Sequence, residues 1–269
     1  MPTCGLVNLG SCLPQMFFDF ILTVLLAPIQ PFLQLTLNLL AEPINISLFL
    51  SLWVIIIYML SMFYALLLVG SGLTFLISGY DVEKREQAKN WLRNIVIMIV
   101  LVQSSFFMYG LVIDLASTMT SAVLSLIDPN FFTISVDTTA GLGIAIILSV
   151  FYLVTLLITT LILVLRYAIV AIGVVLLPIG IFFYFLNPLK HYGLLILNFL
   201  GIAVFVTFFD AILLIGFSTL ANLSIFSNLQ IVVLIAAFLI IDILMCFLLF
   251  FAIVRSAFNV YSGIKRFSN

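Results

Sequence analysis

The stretch from Gly141 to Leu186, GLGIAIILSVFYLVTLLITTLILVLRYAIVAIGVVLLPIGIFFYFL, holds 46 residues and one charge, Arg166. Its apolar residues are continuous rather than alternating, which favours helix over the period-two pattern of a membrane barrel strand. At ~1.5 Å per residue the run reaches about 69 Å, roughly twice the ~30 Å of a bilayer core. Three arrangements fit that length: two passes, a re-entrant pair, or one long helix extending beyond the lipid. Pro178 marks a bend in any of them.

The same character extends outward from this stretch. Of 269 residues, 65% are hydrophobic and only 7% charged, and the mean hydropathy is +1.43. A soluble domain uses about 25% charged residues to wet its surface, so lipid is the natural solvent for this chain. The expected fold is all-α, a polytopic transmembrane helical bundle of about five core spans plus an N-terminal interfacial or re-entrant element. Those spans are Ile46 to Ser78, Asn94 to Ile127, the Gly141–Leu186 run, Gly193 to Leu220 and Ile231 to Val254. Residues 1–45 form an external N-terminal segment, in which Pro28 and Pro31 make a straight helix awkward, with a kinked span as the alternative. Residues 46–269 form the transmembrane domain, with a charged loop at 80–93 read as a short helix and a polar loop at 128–140.

Direction comes from the basic residues. No Lys or Arg precedes Lys84, and then Lys84, Arg85, Lys89 and Arg93 fall together. Basic loops stay on the cytoplasmic side, which places the amino terminus and the 128–140 loop outside. A single net crossing by residues 141–186 then puts Lys190, Arg255, Lys265 and Arg266 inside with the carboxyl terminus. The expected location is therefore the cell membrane, multi-pass. A net charge of −1 leaves no basic footprint for stable nucleic-acid binding. Cys4 and Cys12 are placed to close a small disulfide if the amino terminus meets an oxidising exterior, and Cys246 reads as packing. No metal-ligand spacing is present among the cysteines.

Four ionisable residues lie within apolar runs: Asp114, Arg166, Asp210 and Asp242. Intramembrane charges are costly and mark function by default. The bland alternative has Asp210 and Asp242 satisfying Arg166 across helices, with Asp114 near the outer end of its span. The polar runs Gln103-Ser104-Ser105 and Ser117-Thr118-Met119-Thr120-Ser121 line a hydrated passage or hydrogen-bond neighbouring helices, the latter being the commoner use. No phosphate loop, HExxH or nucleophile with an associated base is visible, so no enzyme activity and no cofactor are expected.

The charged run from Gly79 through Tyr80-Asp81-Val82-Glu83-Lys84-Arg85 to Arg93-Asn94-Ile95 is flanked by long spans. With Leu177-Pro178-Ile179-Gly180 and Asn187-Pro188-Leu189-Lys190, it resembles the polytopic inner-membrane component of type IV secretion and conjugation systems, the TrbL-type family. The likeness is greatest to archaeal relatives in DNA-exchange machines. It implies a non-enzymatic channel or platform subunit for DNA transfer that forms a homo-oligomer among membrane lipids. The same resemblance implies a pilin and a separate ATPase as partners, and transient passage of DNA. The short external loop and tail depart from many bacterial members. A small-solute transporter using the intramembrane Arg and Asp residues is the alternative.

Overall fold

In the computed structural model, the described residues are 16–17, 20–21, 23–77, 82–132, 142–223, 225 and 229–267. Cys4, Cys12 and Asp137 lie outside them. Among the described residues the chain is helical, without strands. Seven α-helices succeed one another: α1 Ile29–Ala41, α2 Leu50–Ile77, α3 Val82–Gln103, α4 Ser105–Leu124, α5 Leu142–Phe185, α6 Lys190–Ala221 and α7 Gln230–Phe267. Among the described residues six helical segments are long and apolar enough to cross a membrane. The protein is a multi-pass membrane protein of all-α architecture.

The prolines of the first segment interrupt it as expected: helical residues 23–26 precede a turn at Ala27-Pro28, and α1 begins after it. Pro28 is the N-cap of α1 and Pro31 falls in its first turn, where backbone donors lack intrahelical partners in any case. With the turn before it, the segment Thr23–Ala41 spans 19 residues. Two other elements differ from the sequence expectation for identifiable reasons. The charged stretch is neither a loop nor a separate short helix. From Val82 it forms the opening turns of α3. α3 and α4 are divided by Ser104 alone, and the backbone bonds Ser104 N to Val100 O and Met108 N to Ser104 O, both 3.0 Å, carry the helix across. Finally, α5 is one helix of 44 residues with Pro178 inside it. Continuity excludes two passes and a re-entrant pair.

The residues group into two compact units. One unit comprises Met1–Glu42, Ser117–Leu165 and Thr207–Met245, and the other Pro43–Ala116, Arg166–Val206 and Cys246–Asn269. The division interleaves because α4, α5, α6 and α7 are long enough to contribute residues to both. In the first unit α1 buries one face, Ile29, Leu33, Thr36 and Leu40. Its last carbonyl, that of Ala41, accepts a hydrogen bond from Ser117 Oγ at 2.6 Å, which satisfies a group the helix end leaves open. Near the 128–140 loop, Pro129–Phe132 forms a 3-10 turn, and Gln230 donates to the Phe131 carbonyl at 3.1 Å.

The second unit is held by two apolar clusters. Tyr109, Ile113, Val170, Val174, Ala203 and Val204 belong to one, and Leu60, Tyr64, Ile95, Met98 and Phe182 to the other. Small residues set the helix spacing. A Cβ on Gly173 would run into the Tyr109 hydroxyl and lie 2.7 Å from Leu200. On Gly193 it would collide with the Tyr184 backbone nitrogen and approach the Gly180 carbonyl at 2.7 Å. Backbones meet this closely only where the side chain is absent. Gly193→Ala is therefore expected to lower stability by about 1–3 kcal/mol through overpacking. Gly216→Ala, where a Cβ meets nothing within 4 Å, is expected to raise it by about 0.5–1 kcal/mol. Thermal unfolding in mild detergent checks both signs.

Candidate functional site

Intramembrane polar chemistry divides between the two units. In the second, Arg166 is buried on α5, and its guanidinium faces α6. Nε donates to the Ala203 carbonyl and Nη2 to the Val204 carbonyl, each at 2.9 Å. A carbonyl already bonded within a helix keeps a second lone pair, so this fork adds bonds without unwinding α6. One turn along α5, the Val170 carbonyl accepts from Tyr109 Oη at 2.8 Å. Both contacts tie α5 to a neighbouring helix. For these two guanidinium nitrogens the partners are α6 carbonyls, bonds that the sequence did not indicate.

Asp114 sits on an exposed face of α4. It lies midway along α4, inside the Ser105–Leu124 segment that is itself long and apolar enough to cross a membrane. Lys84, Arg85, Lys89 and Arg93 are all exposed on α3, and the Arg85 guanidinium lies 5.6 Å over the Phe75 ring. Cys246 is exposed rather than packed inside, because its position on α7 falls between the buried Ile241, Asp242 and Met245 face and the next turn.

The first unit contains a buried polar column that the sequence reading did not single out. Ser149, Tyr152, Thr155, Thr159 and Thr160 of α5 are all buried, at spacings that keep them near one helix face. Thr36 of α1 and Thr160 share a hydrogen bond of 2.8 Å. Asp210 and Ser218 of α6 and Asp242 of α7 are buried in the same unit. The Tyr152 ring packs 6.1 Å from that of Phe238, one helical turn before Asp242. Thr159 lies within electrostatic reach of the Asp242 carboxylate, but its one proton is committed to the Thr155 carbonyl at 3.0 Å. Among the described residues neither Asp242 oxygen, nor the Tyr152 hydroxyl, has a hydrogen-bond partner by geometry. The signal was available as hydroxyls at three- and four-residue intervals, but apolar neighbours masked it.

The polar runs of the second span have specific duties. Ser105 Oγ accepts from the Trp53 indole at 2.9 Å, and Ser117 reaches α1 as described. Ser121 and Ser125 donate to carbonyls of their own helix. Among the described residues no group of three or more His, Cys, Asp or Glu could hold a metal ion. No family model, curated protein or solved structure matches the chain.

Arg166→Lys keeps the charge and removes the fork, since an ammonium has no planar pair of donors. It is expected to reduce stability by about 1.5–3 kcal/mol, the worth of hydrogen bonds to a charged group. Chemical unfolding of the purified protein, compared with that of Tyr109→Phe at about 1 kcal/mol, measures it.

Proposed function

We propose that the chain is a non-enzymatic channel or platform subunit of a conjugation-like, type IV secretion DNA-transfer machine in the cell membrane. The observation that carries a transport-type role is the buried polar column of the first unit, with Asp210 and Asp242 among serine and threonine hydroxyls. A protein that only anchors others has no need of carboxylates inside apolar helices, which are costly at that position. The resemblance in residues 79–95, 177–180 and 187–190 supplies the cargo, and the basic residues of α3 support a cytoplasmic placement for that end. In this reading copies of the chain assemble together, a pilin and a separate ATPase join them, and DNA passes transiently.

Affinity purification from native membranes tests it. Recovery of an oligomer together with a small pilin and an ATPase is expected. Asp210→Asn combined with Asp242→Asn should then lower DNA transfer while leaving the assembly intact. A monomer recovered without either partner, with transfer unaffected by its deletion, sinks the proposal. The two buried carboxylates also favour a second reading, a small-solute carrier. Solute uptake into proteoliposomes holding this chain alone, abolished by Arg166→Leu with folding retained, would establish that one instead.

A further inference from the structure

Two cavities of opposite chemistry lie within the second unit. The first has a volume of about 830 Å³ and is bounded by Thr74 of α2, by Lys84, Gln87, Trp91 and Asn94 of α3, and by Asn187 beyond α5. Positions 84, 87, 91 and 94 recur at helical spacing and share the face that continues as Ala88, Ile95, Met98 and Val102, which are buried. The polar part of α3 thus borders an open groove, with Lys84, Gln87, Asn90 and Asn94 exposed along it. The carboxamide side chains of Gln87, Asn90, Asn94 and Asn187 line this space, and Asn187 is exposed as well. Each offers two N–H donors and a carbonyl acceptor, and Lys84 adds a positive charge. The second cavity, about 630 Å³, is lined by apolar side chains alone, among them Ile56, Leu60 and Phe63 of α2 and Phe182 and Leu186.

The two cavities follow one stripe of α2. Ile56, Leu60, Phe63, Leu67, Gly70, Thr74 and Ile77 alternate by four and three residues, the spacing of a single helix face. The first four border the apolar cavity and the last two the polar one. Gly70 stands between them, where a Cβ would be 3.8 Å from Trp91 Cη2. On the opposite wall, Phe185 borders the polar cavity and Leu186 the apolar one. The apolar cavity is reachable from lipid, since Phe63 and Leu66 are 51% and 70% exposed. The charged turns of α3 belong at the level of water and headgroups.

We infer that this face binds one membrane phospholipid, with its phosphate-bearing headgroup in the polar cavity and a hydrocarbon chain in the apolar one. Lys84 and the carboxamide N–H groups meet the phosphate oxygens, and the carboxamide oxygens accept from headgroup hydroxyls or amines. The polar volume lies in the range of small-ligand pockets. The site is independent of whatever the protein transports.

Trp53 and Trp91 are the only tryptophans, so Trp53→Phe leaves Trp91 as a reporter in the cavity wall. The full-length variant in detergent micelles is titrated with phosphatidylglycerol brominated in its chains, and Trp91 fluorescence is read. Saturable quenching is expected, weakened by about tenfold in apparent Kd when Asn94→Leu and Asn187→Leu are combined. Brominated diacylglycerol, which lacks the phosphate, should bind by about tenfold more weakly as well, and millimolar glycerol phosphate should not displace the lipid. If circular dichroism shows that the double variant is unfolded, Lys84→Gln and Gln87→Leu at the rim carry the same expectation. Unchanged quenching in folded variants, or equal binding of diacylglycerol, overturns the inference. Displacement by glycerol phosphate overturns it too, by assigning the polar cavity to a soluble phosphoester.

Discussion

A backbone amide in hydrocarbon has no water to turn to, so every N–H and C=O must find its partner inside the protein. Helices meet that demand locally, and the long apolar segments of this chain are helical throughout their described length. The demand also explains what happens at the few places where a helix is interrupted. At Ser104 the ladder bonds continue across the break. At Ala41 the open carbonyl is taken by Ser117. At α1 Pro31 stands in the first turn, where a donor would be idle.

The same constraint shapes the polar interior. Hydroxyls in apolar helices fold back onto their own carbonyls, as Thr155, Thr159 and Thr160 do, or bridge to the next helix, as Thr36 does. Arg166 solves a harder problem, a permanent charge, by dividing its donors between adjacent carbonyls of α6. Asp242 is different in kind, because a carboxylate accepts only and the hydroxyl beside it, Thr159, donates to the Thr155 carbonyl. That asymmetry between cation and anion separates a residue that fastens helices from one whose neighbouring hydroxyl is already engaged.

The spans were legible in the sequence because continuous apolar runs have one physical outcome in lipid. That residues 142–185 form one helix was legible only through Lys190 and the later bases, since length alone allowed three arrangements. What the sequence hid was placement around the helix axis. Asp114 and Asp210 look alike in their apolar runs, yet one is exposed and the other fully buried. Cys246 looked interior and is exposed. Nearly uniform hydrophobicity removes the amphipathic stripe that orients a soluble helix, so the facing of each residue is decided by helix packing and small residues such as Gly173 and Gly193. The carboxamide cavity was equally hidden, because Asn94 and Asn187 are 93 residues apart in sequence and meet only through the turn after α5.

Pro178 gives α5 a mechanical property beyond its place in the core. A proline supplies no donor to the carbonyl four residues earlier, here that of Val174, and a helix bends most readily at such a turn. α5 is therefore a rod with one softened section. Beyond it lie only Ile179 to Phe185, the short arm whose Phe182, Phe183 and Phe185 form walls of the two cavities. Compliance is concentrated beside those walls, so a small change in bend there alters their width while the rest of the helix stays stiff.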